Sequence, residues 1–275
     1  MLGEKESERY LNYSYTPTGQ KENWRAKIKI ELDNRKYLVS TVDNNHELRE
    51  ALSLRNRVFH ESFPSLARSL SGLDHLDYNS DFLYVKDKKT DSIIATYRLI
   101  HSKLSPEFYS SSEFDISEFL SQEGTKLELS RACVDEAHRN GIVIHLLWRG
   151  VAAYMAATQS RFLFGLTSVK SYDLRLILDI YKYLRTKGHV GESFEVQPIQ
   201  SHSLISWYGL SKYKSGDDSV KLPKETPPLL RSYLKAGAEV YGPPAIDHEF
   251  GCFDFFTVLN FDKISKTHSD KYLDT

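Results

Sequence analysis

The chain has 275 residues, 40% hydrophobic and 27% charged, and a formal net charge of −1. That length can bury one good core, and the composition argues against extensive disorder. The near-neutral balance gives no global attraction for nucleic acid, and two cysteines without metal-ligand spacing argue against a disulfide scaffold or a zinc site and suit a reducing cytoplasm.

Residues 1–24 are polar and are expected to form a flexible tail ahead of a domain spanning 25–275. "MLGEKESERY" has no apolar run, so no signal peptide is expected. "AKIKIEL" alternates strictly, and "DNRK" turns it into "YLVSTV", which predicts a hairpin. "NNHELREALSLRNRVF" places Leu48, Ala51, Leu52, Val58 and Phe59 on one helical face. "DFLYV" and "SIIATYRLI" predict a second hairpin, and "DISEFL" a short helix with an Asp-x-x-Glu cap. A strand over 127–134, a turn over 135–140 and a helix over 141–157 follow. That apolar helix, interrupted by His145, Arg149 and Gly150, is too short to span a bilayer comfortably. "RFLFGLTSV" reads as a buried strand and "DLRLILDIYKYLRTKG" as an amphipathic helix closed by Gly188. Residues 189–225 give no periodicity that assigns them. "PPLLRSYLKAG" is a helix between proline and glycine, and "AEVYG" and "FDFFTVLN" are strands. The order predicts a mixed α/β (α+β) domain with a central sheet.

The strand-to-helix junction offers free N–H groups and a positive dipole end, which suit a phosphate. Arg139, Asn140 and Gly141 are therefore candidates for holding one, with His138 and Arg131 nearby. Glu128 alternates with Leu127 and Leu129, so if the leucines face one layer, Glu128 faces the other together with Ser130. Two readings stay open for Glu128: a carboxylate satisfied by Arg131 or Arg98, or a general base in a cleft. Arg55 precedes Phe59 by four residues, and Asp74 and Asp77 flank "HL", a spacing that usually marks a solvated turn. "PPAIDHEFGCFDFF" sets Asp247, Glu249 and Asp254 among aromatics, where charges must be paired or lie at a cleft mouth. Cys133 and Cys252 read as small buried side chains.

Taken in order, "LRNRVF", "LDHLDYNSDFLYV", "TYRLI", "LELSRACV", "HRNGIVIHLLWRG", "FLFG" and "GPPAIDHEFGCFDFF" resemble the hemolysin-like N-acyltransferases of the GNAT superfamily, of the ornithine-lipid type, over residues 45–262. A fainter similarity is to acyl-homoserine-lactone autoinducer synthases, through Arg55 with Phe59, Asp74 with Asp77, and Glu128 with Ser130 and Arg131. The resemblance implies a GNAT-like twisted, mixed β-sheet flanked by helices and splayed open at the strand of Glu128. It implies transfer of a long-chain acyl group, a 3-hydroxy chain among the candidates, from acyl carrier protein or CoA to the amino group of a small amino acid such as ornithine. Glu128 and Ser130 would be catalytic. Arg55, Phe59, Asp74, Asp77, Arg98, Arg131, Asp247 and Asp254 would contact substrate, and Arg139, Asn140 and Gly141 the donor phosphate. No metal, no permanently bound cofactor and no nucleic acid are implied. Acyl carrier protein and the amino acid would be the partners, in the cytoplasm or peripherally at the inner membrane face. An autoinducer-type synthase and a non-catalytic acyl- or carrier-binding protein are the alternatives. The superfamily's glycine-rich donor loop is reduced here to one glycine followed by "IVI", and Cys252 stands where related sequences more often carry threonine.

Overall fold

The computed structural model describes residues 23–63, 72–139, 141–204 and 220–263. The expected tail over 1–22, residue Asn140 and the stretch 205–219 lie outside the described residues. Trp24 packs on Phe82 at 5.6 Å, and its indole N–H donates to the Val42 carbonyl.

Among the described residues ten strands and five α-helices follow one another, most of them where the periodicities predict. They are β1 (Glu31–Asp33), β2 (Tyr37–Thr41), α1 (Asn45–Ser62), β3 (Asp81–Asp87), β4 (Ser92–His101), β5 (Phe114–Asp115), α2 (Ser117–Ser121), β6 (Thr125–Val134), α3 (Ile142–Thr158), β7 (Ser160–Val169), α4 (Leu174–Thr186), β8 (Gln197–Pro198), α5 (Pro228–Ala236), β9 (Glu239–Asp247) and β10 (Cys252–Asn260). Eight strands form one mixed sheet in the order β1-β2-β3-β4-β6-β7-β10-β9, while β5 and β8 pair separately. This is the mixed α/β sheet flanked by helices that the sequence predicts.

The first strand is shorter than "AKIKIEL" suggests, and the reason is side-chain competition. The N–H groups of Ala26, Lys27, Ile28 and Ile30 donate to Asp43, Asp81 and Thr41 side chains instead of to a ladder. β9 is longer than "AEVYG" because Pro243 and Pro244 lie within it. It is an edge strand, where a missing N–H costs no inner ladder bond.

The alternation along β6 sorts the two layers. Leu127 and Leu129 join Val143, Leu147, Val151 and Tyr154 of α3 in one buried cluster. The other face carries Glu128, and there Phe164 and Phe256 meet Phe108, Phe114 and Phe119 from the segment containing β5 and α2. α1 covers β3 and β4 through Leu48, Ala51, Leu54 and Val58. Gly150 lets α3 lie close on the sheet, since a Cβ there would sit 2.7 Å from Val39. Among the described residues no helix is long and apolar enough to cross a membrane.

Candidate active site

The site begins where the sheet fails to close. β6 runs parallel to β7 and pairs with it only from Thr125 to Glu128. Beyond that point β6 continues beside β4 to Val134, while β7 continues beside β10 to Val169. Gly165 sits at the fork, where a Cβ would lie 2.4 Å from the Leu129 carbonyl oxygen. The strands therefore touch at the base and part above it, leaving the β6 edge without a ladder partner.

A bulge shapes that edge. Ser130 pairs with Arg98 and Cys133 with Thr96, so β6 carries one residue more than β4 between these points. Arg131 takes up the difference at φ 56°, a conformation that non-glycine residues seldom adopt inside a strand. With the bulge, Ser130, Arg131 and Ala132 all reach one cavity of about 210 Å³. Its aromatic wall is Phe59, Phe63, Tyr109 and Phe250. The Arg131 guanidinium lies 4.9 Å from the Tyr109 ring centre, 5.5 Å from Phe59 and 5.7 Å from Phe250. Its nearest carboxylate is Asp74, at a loose 3.9 Å.

Glu113, Asp247 and Asp254 line the same cavity. Asp254 accepts hydrogen bonds from the Ser168 hydroxyl and from the Cys252 thiol. Burial first, and then the charges of Asp254 and Asp247, push the Glu113 carboxyl up to about 10, so that it keeps its proton and shares it with Asp254. Burial likewise raises the Asp254 carboxyl. Asp247 Oδ1 accepts from the N–H groups of Glu249 and Phe250, which fixes the turn between β9 and β10. The Cys252 Sγ and one oxygen each of Asp247 and Asp254 lie within 4.8 Å of one another, the one group of potential metal donors among the described residues. Burial and the neighbouring Asp254 raise the thiol of Cys252, so it stands as a hydrogen-bond donor rather than as a thiolate ligand.

The raised Glu113 carboxyl has a consequence for stability. An unfolded chain releases this proton above about pH 4.5, whereas the folded chain holds it to about pH 10. The folded state thus binds more protons across that window, and stability falls as pH rises through it. Glu113→Gln is expected to raise the unfolding midpoint, by an amount that grows between pH 5 and pH 9 in denaturant titrations. A gain independent of pH would contradict the protonated carboxyl.

Of the residues singled out in the sequence, Phe59, Ser130, Arg131, Asp247 and Asp254 come together in this cavity. Glu128 does face the layer opposite the leucines, but it does not line the cavity. It is fully buried, and its oxygens accept from the N–H groups of Tyr109 at 2.6 Å and Ser110 at 2.7 Å and from the Ser110 hydroxyl. Burial raises its carboxyl, and the three donors from Tyr109 and Ser110 oppose that. Its hydrogen-bond partners are thus neither Arg131 nor Arg98, and both of its oxygens are engaged by the 109–110 turn. Glu128 anchors the turn that carries Tyr109 and Glu113 into the cavity, since Glu113 N–H closes on the Ser110 carbonyl.

Arg55, Asp74, Asp77 and Arg98 also lie outside the cavity lining, because they satisfy one another. Asp77 accepts from Arg55 at 2.9 and 3.1 Å and from Arg98 at 2.9 Å, and Asp74 accepts from Arg98 at 2.7 and 2.8 Å. Burial, the largest single influence, pushes the Asp74 carboxyl up, but the charge and hydrogen bonds of Arg98 and the charges of Arg131 and Arg55 together outweigh it, and the net shift is down. A sixth hydrogen bond of this network reaches the site, as Arg98 Nε donates to Ser130 Oγ at 2.8 Å. Arg139 is exposed and donates from Nε to the Val134 carbonyl, while Gly141 is the N-cap of α3 at φ 80° with open space where a Cβ would be. Glu113, Tyr109 and Ser168 carried no sequence signal of their own, because "FYSSSEF" has no period and gives no reason for a buried carboxylate.

Residues 54–149 match the acetyltransferase (GNAT) domain family, a stretch that holds the second half of α1, all of β3, β4 and β6, and about half of α3. The chain is 24% identical over 251 residues to an L-ornithine Nα-acyltransferase of Rhodobacter capsulatus, covering 86% of this chain and 94% of that protein. It is 26% identical over 259 residues to the protein of the same name from Brucella abortus, covering 85% and 88%. Among solved structures it resembles FeeM, an N-acyl amino acid synthase from uncultured soil microbes, at 9% identity and a TM-score of 0.44 over 85% of this chain and 97% of that one. It also resembles BjaI, a CoA-dependent acyl-homoserine lactone synthase, at 14% identity and a TM-score of 0.45 over 84% and 82%.

Proposed function

We propose that this chain, which carries a GNAT acetyltransferase domain at 54–149, is an N-acyltransferase that moves a long-chain acyl group from a thioester donor to the α-amino group of a small amino acid such as ornithine. The observation that carries this reading is the fork between β6 and β7, beside a cavity lined by both a guanidinium and carboxyl groups. The L-ornithine Nα-acyltransferases, matched over more than four-fifths of this chain, support the choice of acceptor.

The donor's extended amide arm would lie along the unpaired edge of β6, its amides completing the ladder that β7 leaves. Its phosphate would lie at Gly141 and Arg139, where α3 begins without a side-chain cap. A single glycine at that turn suits the one phosphate of an acyl carrier protein better than the pyrophosphate of CoA. With Glu128 engaged by the 109–110 backbone, the base is Asp247, whose Oδ2 has no hydrogen bond among the described residues. The α-ammonium gives one proton to Asp247, and the neutral amine attacks the thioester carbon. The C–N bond forms as the C–S bond breaks, and the second nitrogen proton leaves with the sulfur as a thiol. A β6 N–H at the fork stabilises the oxyanion. Ser130, oriented by Arg98, relays the second nitrogen proton, taking it up as its own hydroxyl hydrogen passes to the departing sulfur.

The test is product analysis. The purified chain, given a 3-hydroxyacyl carrier protein and a panel of amino acids including ornithine, is expected to release an N-acyl amino acid detectable by mass spectrometry. A bound but unconsumed thioester would sink the enzymatic reading, and a lactone formed only with S-adenosylmethionine would move it to the autoinducer class.

A further inference from the structure

We infer that Glu113 and Asp254 form a receptor for the side-chain ammonium of a diamino acid, and so select the acceptor; this rests on the acyltransfer reading above. Two independent observations converge on it. The first is an unused buried acceptor. Glu113 is only 2% exposed and lines the cavity, yet its Oε2 has no hydrogen-bond partner among the described residues. Buried carboxyl oxygens are seldom left so, and this one fits a donor that arrives with the substrate.

The second is the charge balance of the cavity. It gathers three carboxyl groups, Glu113, Asp247 and Asp254, against one guanidinium, Arg131. Glu113 keeps its proton, so Asp247 and Asp254 against Arg131 leave one negative charge, which a zwitterionic amino acid cannot balance and a ligand with two ammonium groups and one carboxylate can. Arg131, tied only loosely to Asp74, is placed to take the carboxylate. The α-amine must be neutral to attack, so it cannot be the group kept charged among carboxylates. The ammonium that stays charged is therefore the one at the end of the side chain. Asp254 lies 2% exposed beside Glu113, which suits a group that never reacts.

A metal ion is the rival occupant, and the donors fit it less well. The Cys252 thiol already donates to Asp254, and Asp247 Oδ1 already accepts two backbone N–H groups. An ammonium needs no deprotonated sulfur and brings three donors of its own.

Calorimetric titration of the full chain with L-ornithine and with L-norvaline, which has the same carbon chain without the terminal amine, tests the receptor directly. Ornithine is expected to bind roughly tenfold tighter or more, as one charge-assisted contact would give. Asp254→Asn, close to isosteric, and Glu113→Leu, which removes the acceptor oxygen at similar volume, should each bring that ratio towards one. Equal binding of the two amino acids, failure of ornithine to bind, or a ratio that survives both variants overturns the inference. Binding that needs added Mg²⁺ or Zn²⁺ and is lost with EDTA overturns it in favour of a metal site. No donor is present in this titration, so a chain that binds ornithine selectively but acylates nothing overturns only the enzymatic reading.

Discussion

Asp77→Ala is expected to lower the stability of the folded chain by roughly 3–5 kcal/mol, the cost of leaving a buried charge without its partner. Asp77 is fully buried, and both of its oxygens are in use. Oδ1 accepts from Arg55 and Arg98, and Oδ2 accepts from Arg55 and from the Asp74 N–H. Alanine would leave two guanidinium groups, 5% and 0% exposed, to share the single carboxylate of Asp74. Net stabilities of about 5–15 kcal/mol mean that such a loss would bring many domains close to unfolding. Urea titration should show it as a large drop in midpoint at an unchanged slope. Replacing Arg55 and Asp77 together by leucine should recover part of it, because no lone charge then remains on that side of the network. A cost below about 1 kcal/mol for the alanine variant would mean that water reaches these groups and that the network is not structural.

That network shows where sequence reading stops. The periods of β3, β4, β6, α3 and β7 were legible, because alternation and helical spacing are written within each segment. So was the face of Glu128, fixed by Leu127 and Leu129. Partners were not legible, because they lie on other segments. Glu128 is held by Tyr109 and Ser110, about twenty positions earlier in a segment without period. Arg55, Asp74, Asp77 and Arg98 carry the right residue types for substrate contacts, and spacing alone cannot tell that they would meet each other first. Asp247 and Asp254 were legible as groups at a cleft because charges among so many aromatics have few other places to go. Glu113 was not, since only the folded chain brings its turn against Asp254 on β10. The long β9 was hidden by Pro243 and Pro244, which argue against a strand anywhere but at an edge.

Asp247 rather than Glu128 is the proposed base, and two variants separate them. Asp247→Asn is expected to lower turnover by roughly two to four decades, the range for removal of a positioned general base. Glu113 keeps its own proton, and Asp254 is surrounded by donors from Ser168, Cys252 and Glu113, so neither is free to accept one from the acceptor amine. Asparagine preserves the Oδ1 that accepts from Glu249 and Phe250, so the turn and the cavity should survive the change. The acid limb of the pH–rate profile should vanish with the carboxylate. Glu128→Gln should do the reverse. Its amide nitrogen would face the N–H groups of Tyr109 and Ser110, donor against donor, at a cost of roughly 1.5–3 kcal/mol for the lost charge-assisted bonds. Turnover would then fall because Tyr109 and Glu113 are displaced, while the acid limb stays. If Asp247→Asn works within threefold of the parent chain, or if Glu128→Gln removes the limb without loss of stability, the base is Glu128 after all, reached by a movement of the 109–112 turn.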